Sequence, residues 1–124
     1  MDTLLYIALG GAIGAIARYA VSNGVHALFG RGFPYGTLTV NVLGCLIMGF
    51  LFVFILERLS NNLALRATLM IGFLGAFTTF STFSIETFNL MESGEPVKAI
   101  LNVLISVTLC LLATWAGVII GREL

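Results

Sequence analysis

The chain has 124 residues, 59% of them hydrophobic and 10% charged, with a mean hydropathy of +1.07 and no formal net charge. Soluble domains carry charge on roughly a quarter of their residues, so the composition excludes an ordinary soluble fold and describes an all-α integral membrane protein in contact with lipid. Neither an enzyme's set of catalytic residues nor a nucleic-acid partner is expected.

Crossing the hydrocarbon layer as a helix takes about 20 mostly apolar residues. Four segments qualify, about 3–21, 37–56, 67–86 and 99–121. Together they leave almost nothing for a soluble domain, so residues 1–124 read as one four-helix transmembrane domain. The first apolar stretch reads as a retained span, because Asp2 stands where a cleavable signal would carry positive charge. Cys45 and Cys110 fall inside spans at no metal-binding or disulfide spacing, and are expected to act as small hydrophobes.

In the first span, Gly10 and Gly14 form a small-xxx-small pair that lets another backbone approach closely. Arg18, near the predicted end of that span, needs a partner, water or a route to the interface; interfacial anchor and vestibule charge are both open. The glycine-rich segment 23–35, with Pro34 and His26, reads as a turn-forming connection, His26 being an interfacial residue rather than a ligand. In the second span Thr37, Asn41 and Gly44 or Cys45 share one polar face. A buried amide without partners is costly, so Asn41 either joins helices or lines a wet path.

The third span holds the unusual stretch Gly72–Glu86, GFLGAFTTFSTFSIE, with Phe at 73, 77, 80 and 83, and hydroxyls at Thr78, Thr79, Ser81, Thr82 and Ser84. Gly72, Gly75 and the paired threonines are poor helix formers, so the helix is expected to break mid-span. Non-helical backbone at membrane depth survives only inside protein or beside a cavity, and freed carbonyls could cage a hard cation. Phe80 and Phe83 share a face; from spacing alone, packing is favoured over an edge-on meeting with an anion. Glu86, close to the predicted span end, reads as an interfacial group hydrogen-bonded locally. In the fourth span Asn102, Ser106, Cys110 and Thr114 recur every four residues along a slowly turning stripe, and Gly117 and Gly121 form a second small-residue pair.

Arg58, Arg66 and Arg122 belong to one membrane face, against Arg31, Lys98 and Arg18 towards the other. Orientation follows the Lys/Arg bias of short loops. So even a distribution predicts insertion both ways, and an antiparallel, dual-topology homodimer with its two-fold axis in the membrane plane.

Three motifs resemble one family: GxxGAxxRY at Gly11, Gly14, Ala15, Arg18 and Tyr19; GTLxVNxxGC from Gly36 to Cys45; and GFxGxFTTFSTFSxE from Gly72 to Glu86. The chain is similar over essentially its whole length to bacterial fluoride channels of the Fluc or CrcB family. That resemblance implies a dimer with two antiparallel pores in the cytoplasmic (inner) membrane, through which fluoride leaves passively, giving fluoride resistance. It also implies a structural sodium held by the main-chain carbonyls of Gly75 and Thr78. By the same resemblance Asn41, Phe80, Phe83, Thr37, Ser106 and Thr114 line the pore. Arg18, Ser81, Thr82, Glu86 and Asn102 are further candidates for pore or vestibule. The alternative is a proton-coupled exporter of fluoride or of small molecules. The first span lacks the mid-membrane Glu of small four-span drug exporters, which leaves Glu86 as the candidate proton carrier.

Overall fold

In the computed structural model, which describes residues 2–124, four helical segments are long and apolar enough to cross a membrane. They are α1 (Asp2–Phe29), α2 (Tyr35–Arg58), a third span from Leu63 to Glu92 that consists of α3 (63–77) and α4 (Phe80–Glu92), and α5 (Pro96–Glu123). The helices outrun the predicted spans at both ends. The largest departure is in α1, where the expected turn-forming segment 23–35 is helical as far as Phe29. The chain turns only at Gly30, whose φ of +83° is the left-handed conformation that ends helices. Gly94, at φ +77°, ends α4 in the same way, and Pro96 then opens α5 at a position where its missing N–H loses nothing.

The helices pack as two parallel pairs, α1 against α3 and α2 against α5. Small residues set both contacts. Gly10 and Gly14 face the backbone of Thr68 and Phe73, and Gly72 faces Ile7 and Gly11 in return. Gly49 meets the Thr114 carbonyl, and Gly117 meets Leu46 and Phe50. Lipid tails are as apolar as leucine, so helices associate through close backbone approach and polar contacts rather than through hydrophobic burial. The buried apolar core is accordingly small, with Val40, Leu74 and Phe77 as its centre, while large apolar side chains such as Ile16, Leu111 and Trp115 point outwards.

Two stretches wind more widely than an α-helix, Phe52–Arg58 at the end of α2 and Arg66–Leu74 in α3. Wide turns of this kind are frequent at functional sites. Between α2 and α3, Ser60 and Asn61 take left-handed conformations, and the Asn62 side chain accepts the Leu65 N–H at 3.1 Å to start the next helix. At that end of the bundle Arg122 grips Glu57 in a two-pronged ion pair, with Nη2–Oε2 at 3.0 Å. At the other end Lys98 pairs with Glu95 and donates to the Gly32 carbonyl.

Candidate functional site

The third span opens at Thr78 and Thr79, fifteen residues from its start at Leu63. Their backbones are extended, with φ/ψ of −86°/157° and −150°/119°. The break therefore falls mid-span as expected, at the end of the Gly75 to Thr78 segment and across Thr79. Gly75 itself keeps helical dihedrals.

Asn41 holds the break open. Its Oδ1 accepts the Thr79 N–H at 2.8 Å, and its Nδ2 donates to the Thr79 carbonyl at 3.1 Å, so one side chain replaces both helical bonds of one residue. Gly44, one turn on, leaves room for the Thr78 methyl. The Thr79 hydroxyl then accepts the Thr82 N–H at 3.2 Å and caps α4. Removing that cap in Thr79→Val should cost about 1 kcal/mol, read as a modest loss of thermal stability in detergent; an unchanged melting point would deny the cap its role.

These diversions have a consequence for the carbonyls. In an unbroken helix the Thr79 N–H would bond to Gly75 and the Thr82 N–H to Thr78. Both donors are taken, by Asn41 and by Thr79 Oγ1. Gly75 also lies on an exposed face of the chain. Two carbonyl oxygens stripped of their helical donors are the hard, neutral ligands that an alkali cation takes, so Gly75 and Thr78 fit the cation role implied for them.

The Ala76 carbonyl, whose helical donor would be Phe80, instead accepts Arg18 Nε at 3.0 Å. Arg18 thus sits well inside α1, eleven residues before its end, and reaches the break. Arg18 was expected near the end of the span 3–21, and the helix that carries it continues to Phe29.

Under the break lies a groove of ≈ 260 Å³ lined by Asn41, Cys45, Thr78, Thr79, Phe80, Phe83, Ser106, Val107 and Cys110. The structure therefore brings together Asn41, Phe80, Phe83 and Ser106 from three different spans. The rings of Phe80 and Phe83 lie 5.5 Å apart and tilted by 41°, and Phe80 is 78% exposed on this single chain. No charged side chain lines the groove. Asn41 spends one Nδ2 hydrogen on Thr79 and keeps a second donor.

Two expected members stay outside. Thr37 is buried near the start of α2, and Thr114 lies beyond the groove with its carbonyl under Gly49. The reason lies in helix pitch. A repeat of four residues drifts by about 40° per step from a 3.6-residue turn, so Asn102 and Thr114 differ by about a third of a revolution. Ser106 and Cys110, in the middle, face the groove. Asn102 is 1% exposed and works inside the protein: its Nδ2 donates to Thr87 Oγ1 at 2.9 Å, and its Oδ1 accepts from Ser106 Oγ at 3.2 Å. Thr87 in turn donates to the Phe83 carbonyl at 2.8 Å. The chain of bonds ties α4 to α5 beside the groove. Ser81 is exposed and Thr82 half-buried, and neither lines it.

A second cavity, also ≈ 260 Å³, is lined by His26, Arg31, Phe33, Pro34, Glu86, Asn89, Leu90 and Ser93. His26, expected at the interface, is buried, and its Nε2 accepts the Gly36 N–H at 3.0 Å. A ring accepting at Nε2 carries its proton on Nδ1 when neutral, so Arg31 Nη1, 3.2 Å from Nδ1, meets a donor there rather than an acceptor. Glu86, expected to be hydrogen-bonded at a span end, lies six residues inside α4, and its Oε1 is buried without a hydrogen-bond partner among the described residues. The ten-residue separation of His26 and Gly36 in sequence gave no local signal for the His26 contact.

Fold and site together define a four-span α-helical membrane protein with an uncharged groove at a mid-span helix break. The family model described as CrcB-like protein, Camphor Resistance (CrcB), matches residues 5–118. The chain is 59% identical over 122 residues to the fluoride-specific ion channel FluC of Coxiella burnetii (strain Dugway 5J108-111), covering 98% of each chain. It is 56% identical over 119 residues to that of Magnetococcus marinus, covering 96% of this chain and 97% of the relative. With that of Geobacter sulfurreducens it shares 54% over 124 residues and the full length of both. The chain belongs to the CrcB family, whose named relatives are ion channels and not enzymes.

Proposed function

We propose that this chain is a fluoride-selective channel, formed by residues 1–124 as one transmembrane domain in a bacterial cytoplasmic membrane and exporting fluoride passively. The observation that carries the proposal is the uncharged groove joining Asn41, Phe80, Phe83 and Ser106 beneath the helix break. The relatives' name supports it.

Fluoride is small and strongly hydrated, so a dry path must replace its water with donors at close range. The spare Asn41 N–H and the positive edges of Phe80 and Phe83 are such donors, and the Ser106 hydroxyl becomes one when it turns away from Asn102 Oδ1. None carries a full charge, and conduction needs binding weak enough to let the ion leave. Arg18, the one cation nearby, has its Nε committed to the Ala76 carbonyl.

The working unit is an antiparallel homodimer with two pores. Exposed Phe80 and Gly75 support it, since a second, inverted copy would cover the face that presents them. The balanced loop charges supply that copy. The carbonyls of Gly75 and Thr78 would hold the structural sodium; when bound, it supplies a positive charge that offsets their exposed dipoles. Thr37 and Thr114 would then belong to the ends of the polar track rather than to its centre.

Phe80→Ile and Phe83→Ile, made separately, should each cut fluoride efflux from liposomes at least tenfold while the dimer persists. Normal efflux in both would return the rings to packing.

A second reading, proton-coupled fluoride exchange, is favoured by the unpartnered, buried oxygen of Glu86. Glu86→Gln separates the two. A channel keeps its fluoride efflux within about threefold, whereas an exchanger loses proton-driven uphill transport altogether.

A further inference from the structure

The two cysteines line the same groove, Cys45 from α2 and Cys110 from α5. Both are free and half-buried. Helix register accounts for the meeting. α2 and α5 run parallel, with Val53 beside Gly121 and Leu46 and Phe50 beside Gly117. Gly49 meets the Thr114 carbonyl, and one turn back on each helix stand Cys45 and Cys110.

The surroundings select what such a pair can bind. Thiolates are soft ligands that favour soft ions. Zinc takes four ligands in structural sites, and no group of three or more His, Cys, Asp or Glu side chains exists among the described residues. A monovalent soft ion between two thiolates leaves one net negative charge, which a groove with no cationic side chain cannot compensate. A soft divalent ion that is content with two ligands in line gives a neutral complex.

We propose that Cys45 and Cys110 form a two-thiolate site for a soft divalent cation of the mercuric class, and that its occupation closes the groove between Asn41 and Ser106. Binding from the neutral chloride breaks two S–H bonds and forms two Hg–S bonds, releasing two protons and two chloride ions with no change of oxidation state. The metal site stands on the cavity alone; the closure rests on the channel reading above.

The test titrates purified full-length protein in detergent with mercuric chloride and measures retained mercury against rising concentrations of a competing monothiol. Wild type should retain one mercury per chain. Cys45→Ser and Cys110→Ser should each release it at a monothiol concentration at least 100-fold lower, because the second bond of a linked pair forms at high effective concentration. X-ray absorption of wild type should show two sulfur neighbours at the metal. Two mercury ions per chain, a single sulfur neighbour, or single variants as resistant as wild type would overturn the site. Fluoride efflux is then measured on the mercury-loaded protein in liposomes. Block that is absent from both variants supports closure, and unimpaired efflux with one mercury bound overturns closure while leaving the metal site intact.

Discussion

Asn41→Leu is expected to abolish fluoride efflux and to destabilise the folded protein together. Leucine keeps the branched outline of asparagine, with more bulk and no polar atoms, so the Thr79 N–H and carbonyl both lose their partner inside the span. Each buried backbone group left unsatisfied costs about 1–3 kcal/mol, giving a loss of roughly 2–6 kcal/mol. Thermal melting in detergent reads the first effect and liposome efflux the second. If Asn41→Leu melted like wild type while losing efflux, Asn41 would serve the pore alone and the break would hold itself open. Asn41→Asp keeps the acceptor for the Thr79 N–H but sets a carboxylate against the Thr79 carbonyl and beside the groove. It should therefore remain better folded than the leucine variant and still pass no fluoride.

Gly14→Ala is expected to separate α1 from α3. A Cβ at Gly14 would run into the Phe73 backbone, with its carbonyl carbon at 3.0 Å and Cα at 3.1 Å even before hydrogens are considered. Backbone cannot swing aside as a flexible side chain can, and overpacking of this kind costs about 1–3 kcal/mol or more. The same substitution at Gly24 meets nothing within 4 Å, and there alanine should gain about 0.8–1 kcal/mol through helix propensity. The pair isolates close approach from chain stiffness. Size-exclusion profiles and melting curves should show Gly14→Ala aggregating or melting early, and Gly24→Ala unchanged or improved. Equal behaviour would mean that the glycine stripe does not set the α1–α3 distance.

Local chemistry in the sequence pointed to the break but not to what fixes it. The stretch Gly72–Glu86 signals weakness through its glycines and paired threonines, and that signal placed the break within a few residues. The fixing bond comes from Asn41, 38 residues away, and it draws out Thr79 rather than Gly75. Arg18 illustrates the same limit. A cation in a span needs a partner, as its burial cost requires, yet the partner is a carbonyl 58 residues on that exists as a free acceptor only because the helix has already broken.

The length of α1 was hidden by composition. Ser22, Asn23 and Gly24 look like a turn, but the residue that ends the helix is Gly30, and the polar side chains between them sit on a helix that continues past the expected span. His26 was therefore placed in a loop when it caps α2. The four-residue stripe of α5 was visible, but its drift decides which members reach the groove, putting Cys110 there and Thr114 outside. The small-residue pairs at Gly10, Gly14, Gly117 and Gly121 were legible because close approach demands a residue without a side chain, and all four lie against a neighbouring helix.

Passive conduction of fluoride through the groove beneath the break ties the proposed function to the geometry. Its most direct test is fluoride efflux from liposomes containing the purified protein, with the membrane potential clamped and a pH indicator enclosed. A passive channel gives rapid fluoride efflux with no proton gradient, none when chloride replaces fluoride, and loss of that efflux in Phe80→Ile and Phe83→Ile. Efflux that occurs only with stoichiometric proton movement, or that passes chloride equally well, would contradict it.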